Sequence, residues 1–293
     1  MDETRSGRPV LVGISNPEAV QQLVRTAGDL ARLGAGTVRL VTVATKPRDS
    51  PFGVFTDETI VREFAADSHA LIEGVATPAG VTVERDVVAA RSAAKGLLAA
   101  VEEANPAALV VGWQGRTRRS DAVFGTTVDT LVERAPCDLY VERVGREANG
   151  VDSVLLPVAG GPHVQTAAKA AAAIGFANDA SVTVLSVRTP EQDASEATAF
   201  ATEGREAVLA LSGSLDVTTE TIDSSAIART IADAAADHDI VVLAATRKGA
   251  LRRRVVGSVP KRVVEGTDQT VVLSRSGAVA RGPLDRLGGL LRR

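Results

Sequence analysis

The sequence predicts an α/β protein built from two tandem, doubly wound, parallel-sheet domains. Three observations carry that prediction. Short runs rich in Val, Leu and Ile alternate with helix-length segments along most of the chain. The apolar runs are continuous rather than interleaved with polar residues, as in strands covered by helices on both faces. The first half of the chain also has a counterpart in the second: PVLVGISNPEAVQQLVRTAGDLARLGAGTVRLVTVATKP from Pro9 reads like SVLLPVAGGPHVQTAAKAAAAIGFANDASVTVLSVRTP from Ser153.

The first copy is predicted to hold strands near 9–14, 37–43, 81–86, 108–112 and 138–143, with helices near 17–33, 57–76, 92–104 and 126–134 between them. The second copy repeats the order, with strands near 153–158, 181–187, 217–222, 239–244 and 270–274. Five strands alternating with four helices make one doubly wound unit, and the right-handed crossover rule leaves few topologies. A length of 293 residues suits two such units at about 150 residues each. The expected boundaries are 1–147 and 151–276, separated by the polar segment REANGVD with Asn149-Gly150 as the break, followed by a tail over 277–293.

Composition narrows the function. With 45% hydrophobic and 24% charged residues the chain can build real cores, and with 3% aromatics they must be of Val, Ala, Leu and Ile. A net charge of -3 argues against a nucleic-acid binder that runs on bulk charge. No run reaches the roughly 18 to 20 apolar residues of a membrane span. MDETRSGRP at the start has no apolar signal core, so the cytoplasm is the expected compartment. Cys137 is the only cysteine and reads as a buried thiol at a strand. His69, His163 and His238 lack metal-ligand spacing, and His163, in GGPH, reads as a solvated turn residue.

The chemistry concentrates in GWQGRTRRSDAVFGT, residues 112 to 126. It joins a strand end to a helix start at the carboxyl edge of a parallel sheet, where open α/β folds bind ligands. Gly112 and Gly115 let backbone approach a ligand closely. Gly125, Thr126 and Thr127 stand where free N–H groups and the helix dipole favour an anion, and the Thr126 hydroxyl can cap the helix or meet a phosphate oxygen. Neither GxxxxGK[ST] nor a GxGxxG after the first strand is present. Without a ligand, the same glycines make a tight turn and Thr126 is an ordinary cap. Trp113 reads as packing the loop, and Arg116, Arg118 and Arg119 as solvated loop charge.

Gly112-x2-Gly115-x9-Gly125-Thr126, with VLVGIS at the start and ERAPCDLYVERV after it, resembles the nucleotide-binding signature of the universal stress protein family. The similarity covers nearly the whole chain as two tandem domains. It implies a Rossmann-like sheet of order 3-2-1-4-5, of the adenine nucleotide alpha hydrolase type, with the halves paired through their last strands as a pseudo-dimer. It further implies ATP or another adenine nucleotide, bound by some members of the family, with Mg2+ a candidate companion, and Ile14, Ser15, Val43, Gly112, Gly115, Gly125, Thr126 and Thr127 as the nucleotide-binding set.

Two departures are visible. Ser15 stands where ATP-binding members of the family usually have Asp. The second copy (IVVLAATRKGALRRRVVGSVPKRVVEGTDQTVVLSR) keeps Gly257 and Ser258 but has Ala244 and Arg247 at the positions of Gly112 and Gly115. The first site is therefore expected to be competent or weakened, and the second degenerate. No nucleophile–base arrangement is visible, so a non-catalytic nucleotide-binding regulator is expected. The alternative is a nucleotide-free dimerisation or interaction scaffold, acting on a protein partner such as a membrane transporter. In the tail, Leu284, Leu287, Leu290 and Leu291 fall near one helical face interrupted by Gly288-Gly289, and a frayed or self-docked segment is expected.

Overall fold

A computed structural model describes residues 7–45, 59, 65–113, 125–145, 150–245 and 257–280. In chain order the first half contains β1 (Val10–Ile14), α1 (Pro17–Leu33), β2 (Val38–Thr45), α2 (Ala66–Glu73), β3 (Val83–Ala90), α3 (Ala93–Ala104), β4 (Ala108–Gly112), α4 (Thr126–Arg134) and β5 (Asp138–Arg143). The second half contains β6 (Ser153–Val158), α5 (Val164–Asn178), β7 (Ser181–Arg188), α6 (Ala194–Leu209), β8 (Val217–Asp223), α7 (Ile227–Ala235), β9 (Ile240–Ala244), α8 (Ser258–Gly266) and β10 (Thr270–Arg275). A single turn, α9 (Gly277–Ala280), follows.

Each half is a parallel sheet of order 3-2-1-4-5, and the two join edge to edge into one ten-stranded sheet, β3-β2-β1-β4-β5-β10-β9-β6-β7-β8. The joint is antiparallel, with Val272 opposite Glu142 and Ser274 opposite Tyr140. Every other ladder is parallel. The expected pseudo-dimer is thus a continuous sheet sharing the last strand of each half.

Strand alternation sorts the apolar residues onto two layers. Val10, Val12 and Ile14 of β1 and Ala108 and Val110 of β4 pack into one core with α1 and α5. Leu11, Leu109 and Val111 face the other, with Leu97 of α3 and Leu131 of α4. Local signals set the helix ends. The Asn16 side chain accepts from the Glu18 amide at 3.1 Å, with Pro17 in the first turn, and starts α1. Ser92 accepts from the Lys95 amide at 3.3 Å and starts α3. Asn105, at φ 42°, ends it in the left-handed region.

On one face of the joint, α1 of the first half packs on α5 of the second. Alanines at 167, 168 and 170 to 173 of α5 are all buried, and such small side chains let the helix lie close to its neighbours. Guanidinium groups finish the seam symmetrically. Arg143 Nη2 donates to the carbonyls of Thr267 and Gln269 at 2.6 and 2.7 Å. Its counterpart Arg275 donates from Nη2 to the Ala135 carbonyl at 2.7 Å. Ala135 and Thr267 are the residues that end α4 and α8.

Two expectations change in detail. β3 extends to Ala90 because it pairs along the full length of β2, out to Thr45 with Ala90. His163 is not a solvated turn residue: it is 3% exposed, and its Nδ1 accepts from the Ser276 amide at 3.0 Å across the turn after β10. Cys137 is buried as expected. The tail beyond residue 280 lies outside the described residues.

Candidate functional site

The carboxyl ends of β1, β2 and β4 lie side by side, since β1 pairs with β2 (Ile14 with Thr42) and with β4 (Gly13 with Val111). This is where strand order reverses, the position at which doubly wound sheets open a crevice. Ile14 is buried at 4% exposure, and its side chain belongs to the core under α1. Ser15 is the first residue past the strand and is exposed. Val43 is half-buried and leans on α3, where a Cβ added at Gly96 would come within 2.6 Å of its Cγ1.

Gly112 ends β4 opposite Glu142. A Cβ there would meet Leu23 Cδ1 of α1 at 3.2 Å, so the missing side chain gives room to a helix rather than standing open. Trp113 follows, its amide donating to the Glu142 carbonyl at 2.7 Å and its ring packed against the core below α3 and α4. Gly115 and the arginines at 116, 118 and 119 lie outside the described residues.

Gly125 behaves differently. It caps α4 at φ 100° and ψ 153°, and among the described residues nothing lies within 4 Å of where a Cβ would project. That conformation is open to glycine and strained for other residues. Its carbonyl accepts from the Asp129 amide at 3.0 Å, closing the first helical turn. The Thr126, Thr127 and Val128 amides precede that first intrahelical bond, as at any helix N-terminus, so they point outward. Thr126 is exposed and Thr127 half-buried. Glycine here sets the helix entry, with a backbone conformation that other residues adopt only under strain.

The second copy is built otherwise at each matching point. Gly257 caps α8 at φ -65° and ψ 165°, ordinary extended backbone that any residue can adopt. Ala244 ends β9 and packs on the core, and Ser258 is exposed. After β6 the turn passes through Gly160 at φ 67°, and the Phe200 ring of α6 sits over it, 2.6 Å from an added Cβ. Arg247 lies outside the described residues.

Sequence reasoning missed a second polar feature. Glu142, in the middle of the seam, is 0% exposed, and burial pushes its carboxyl up to about 7. Asp29 of α1 is 3% exposed, and burial raises it to about 6 against the opposing pull of Arg32. The one sequence signal was a glutamate inside the strand run DLYVER, which reads equally well as a solvated strand end. Among the described residues no group of three His, Cys, Asp or Glu side chains is placed to hold a metal ion.

Strand order and ladder directions define a tandem doubly wound α/β protein with a switch point in each half. The chain belongs to the universal stress protein family, whose profile matches it twice, over residues 7–143 and 150–275. No curated protein resembles it closely enough to count as a match. Among solved structures it is similar to a universal stress protein from Archaeoglobus fulgidus DSM 4304, at 14% identity and TM-score 0.62, over 93% of this chain and 97% of that one. A functionally unknown protein from Pseudomonas aeruginosa PAO1 is similar at 16% identity and TM-score 0.61, over 97% and 98% of the two chains. The cytoplasmic domain of a prokaryotic cation chloride cotransporter is similar at 12% identity and TM-score 0.56, over 96% and 99%. Among the described residues no helix is long and apolar enough to cross a membrane.

Proposed function

We propose that this protein is a non-catalytic regulator that binds an adenine nucleotide, ATP with Mg2+ first among the candidates, in its first domain. The observation that supports this best is Gly125. A glycine-only backbone conformation is held at a helix start, at the switch point of the sheet, and among the described residues none lies within 4 Å of where a Cβ would project. Free amides and the positive end of the helix dipole suit a phosphate chain. Ser15 and Val43, in the carboxyl half of β2, border the same edge and would meet the nucleoside end. Gly257 lacks the strained backbone, and Phe200 closes over Gly160, so the second domain is read as vacant of nucleotide. The output is a change in conformation or partner binding rather than turnover.

Titration of the purified protein with Mg-ATP, read by calorimetry and Trp113 fluorescence, tests this. One saturable site per chain is expected, lost in Gly125→Arg because the new side chain fills the cradle. Two sites per chain would refute the reading of the second domain. No heat and no fluorescence change up to millimolar ATP would defeat the nucleotide reading.

One observation favours a second reading, a nucleotide-free interaction scaffold. The space beside Gly112 is taken by Leu23 rather than left for a ligand, and Ser15 brings no carboxylate. The same fold occurs in the cytoplasmic domain of a cation chloride cotransporter, so a transporter is the first partner to try by pull-down if ATP does not bind.

A further inference from the structure

Both oxygens of the Glu142 carboxyl are buried, and among the described residues neither receives a hydrogen bond. The residue sits at the joint of the two domains. Tyr140 and Glu142 of β5 lie on one face of the antiparallel pair, with Val272 and Ser274 of β10 directly opposite them. The Ser274 hydroxyl is buried there too, with no partner among the described residues.

α1 of the first domain and α5 of the second cover this layer. From α1, the Thr26 hydroxyl and the Gln22 amide approach Glu142 and favour its charged form, without reaching hydrogen-bond geometry on either oxygen. Asp29 opposes that charge and Arg25 favours it. Asp29 is itself tied to both domains: Arg32 donates to its Oδ1 at 2.6 Å, and Asn178 of α5 donates to its Oδ2 at 3.3 Å. β4 offers only Gly112 beside Glu142. α5 adds the Thr166 carbonyl, which accepts from the Tyr140 hydroxyl at 3.2 Å. Its titratable groups lie elsewhere: His163 Nδ1 faces the Ser276 amide, and Lys169 lines a crevice with Arg8 and Leu30 at the amino edge of the sheet. Among the described residues no salt bridge places a cation on the Glu142 carboxyl.

We propose that Glu142 is a proton-sensitive latch between the two domains: the seam is tight while its carboxyl is protonated and loosens when it ionises. An unpaired carboxylate taken out of water is strongly disfavoured, and here the neutral acid is the form that burial permits. The sign follows by linkage. The group binds its proton more tightly in the closed seam than in an opened one, where it would titrate as an ordinary glutamate. Closure is therefore fully favoured at acid pH and is weakened as pH climbs through neutrality. Asp29, raised for the same reason, pushes in the same direction.

The test is amide hydrogen exchange on the full chain between pH 5 and 8, corrected for the intrinsic pH dependence of exchange, read at β5, β10, α1 and α5. With Glu142 moving from 4.5 to about 7, protection at the seam should fall on the order of 50- to 100-fold over that range. Asp29 supplies about a further tenfold by the same relation. Glu142→Gln keeps the shape and removes the proton; its seam should stay protected at pH 8, leaving only the Asp29 part of the dependence. Seam protection that changes less than about threefold in the unaltered protein, or that changes equally in Glu142→Gln, overturns the proposal. Should Glu142→Gln fail to fold, a carboxyl-carbon NMR titration of the unaltered protein decides. A Glu142 midpoint near neutrality supports the latch, and one in the ordinary glutamate range overturns it.

Discussion

Alanine at two matched glycines should separate the two halves of the molecule. Gly125 and Gly257 cap equivalent helices, α4 and α8, and neither uses a side chain to do so. Replacing either with alanine loses the glycine preference at a helix cap, a penalty of about 0.5–1 kcal/mol common to both. It also stiffens the unfolded chain, which returns about 0.4–1 kcal/mol in both. What differs is the backbone. Gly125 sits at φ 100° and Gly257 at φ -65°, so only the first change forces a Cβ into a conformation reserved for glycine. That strain is about 1–3 kcal/mol. Among the described residues nothing lies within 4 Å of the new methyl at 125, so clash with them adds nothing. Gly125→Ala should therefore be less stable than Gly257→Ala by about 1–3 kcal/mol, with Gly257→Ala close to the unaltered protein. Urea unfolding, followed by circular dichroism and by the fluorescence of Trp113 in the first domain, measures both. Equal losses, or a larger loss at Gly257, would show that the two helix starts are not built as described.

Two further outcomes follow from the seam. Tyr140→Phe removes a buried hydroxyl that donates across the domain boundary to the Thr166 carbonyl at 3.2 Å; a loss of about 0.5–1.5 kcal/mol is expected in the same urea assay, and no loss would mean the bond does not hold α5 to β5. Cys137 is 6% exposed, with burial pushing its thiol up to about 11. It should react with an aromatic disulfide reagent at pH 8 only as fast as the chain opens, and quickly in urea; rapid labelling of the native protein would contradict its burial.

The fold was legible because its signals are local. A strand such as ALVVG or IVVLA is apolar on both faces, and the runs between carry caps that act within three residues, Asn16 on Glu18 and Ser92 on Lys95. The repeat supplied the rest, since one half checks the other. The end of β3 was harder to read: it pairs with β2 alone, and polar residues such as Glu84, Arg85 and Asp86 blur its edge pattern. The glycines of the candidate site were visible by spacing, but their separate uses were not. Gly112 accommodates Leu23 of another element, and Gly125 holds a positive φ; a sequence shows the same letter for both. His163 and Glu142 were misjudged or missed for one reason. Each is covered by a segment far away in sequence, His163 by the turn after β10 and Glu142 by β10, and no window around either residue contains its cover.

The way the halves are joined explains how two copies of one fold can differ so much at their edges. The seam relies on main-chain groups. Strand β5 meets β10 through backbone hydrogen bonds, and Arg143 and Arg275 each reach carbonyl oxygens at the far side. Carbonyls are present whatever side chain the residue bears, so the joint survives a tyrosine facing a serine and a glutamate facing a valine. The pseudo-twofold partners of Tyr140 and Glu142 are Val272 and Ser274, which places the polar bulk of the seam in one half only. A symmetric joint of side-chain pairs would have required matched residues on both sides. A backbone joint does not, and it leaves each carboxyl edge free to take its own form, with a glycine-only backbone at Gly125 in one half and Phe200 over Gly160 in the other. Under the proposed nucleotide reading, one nucleotide per chain rather than two is the stoichiometry expected of such an asymmetric pair of edges.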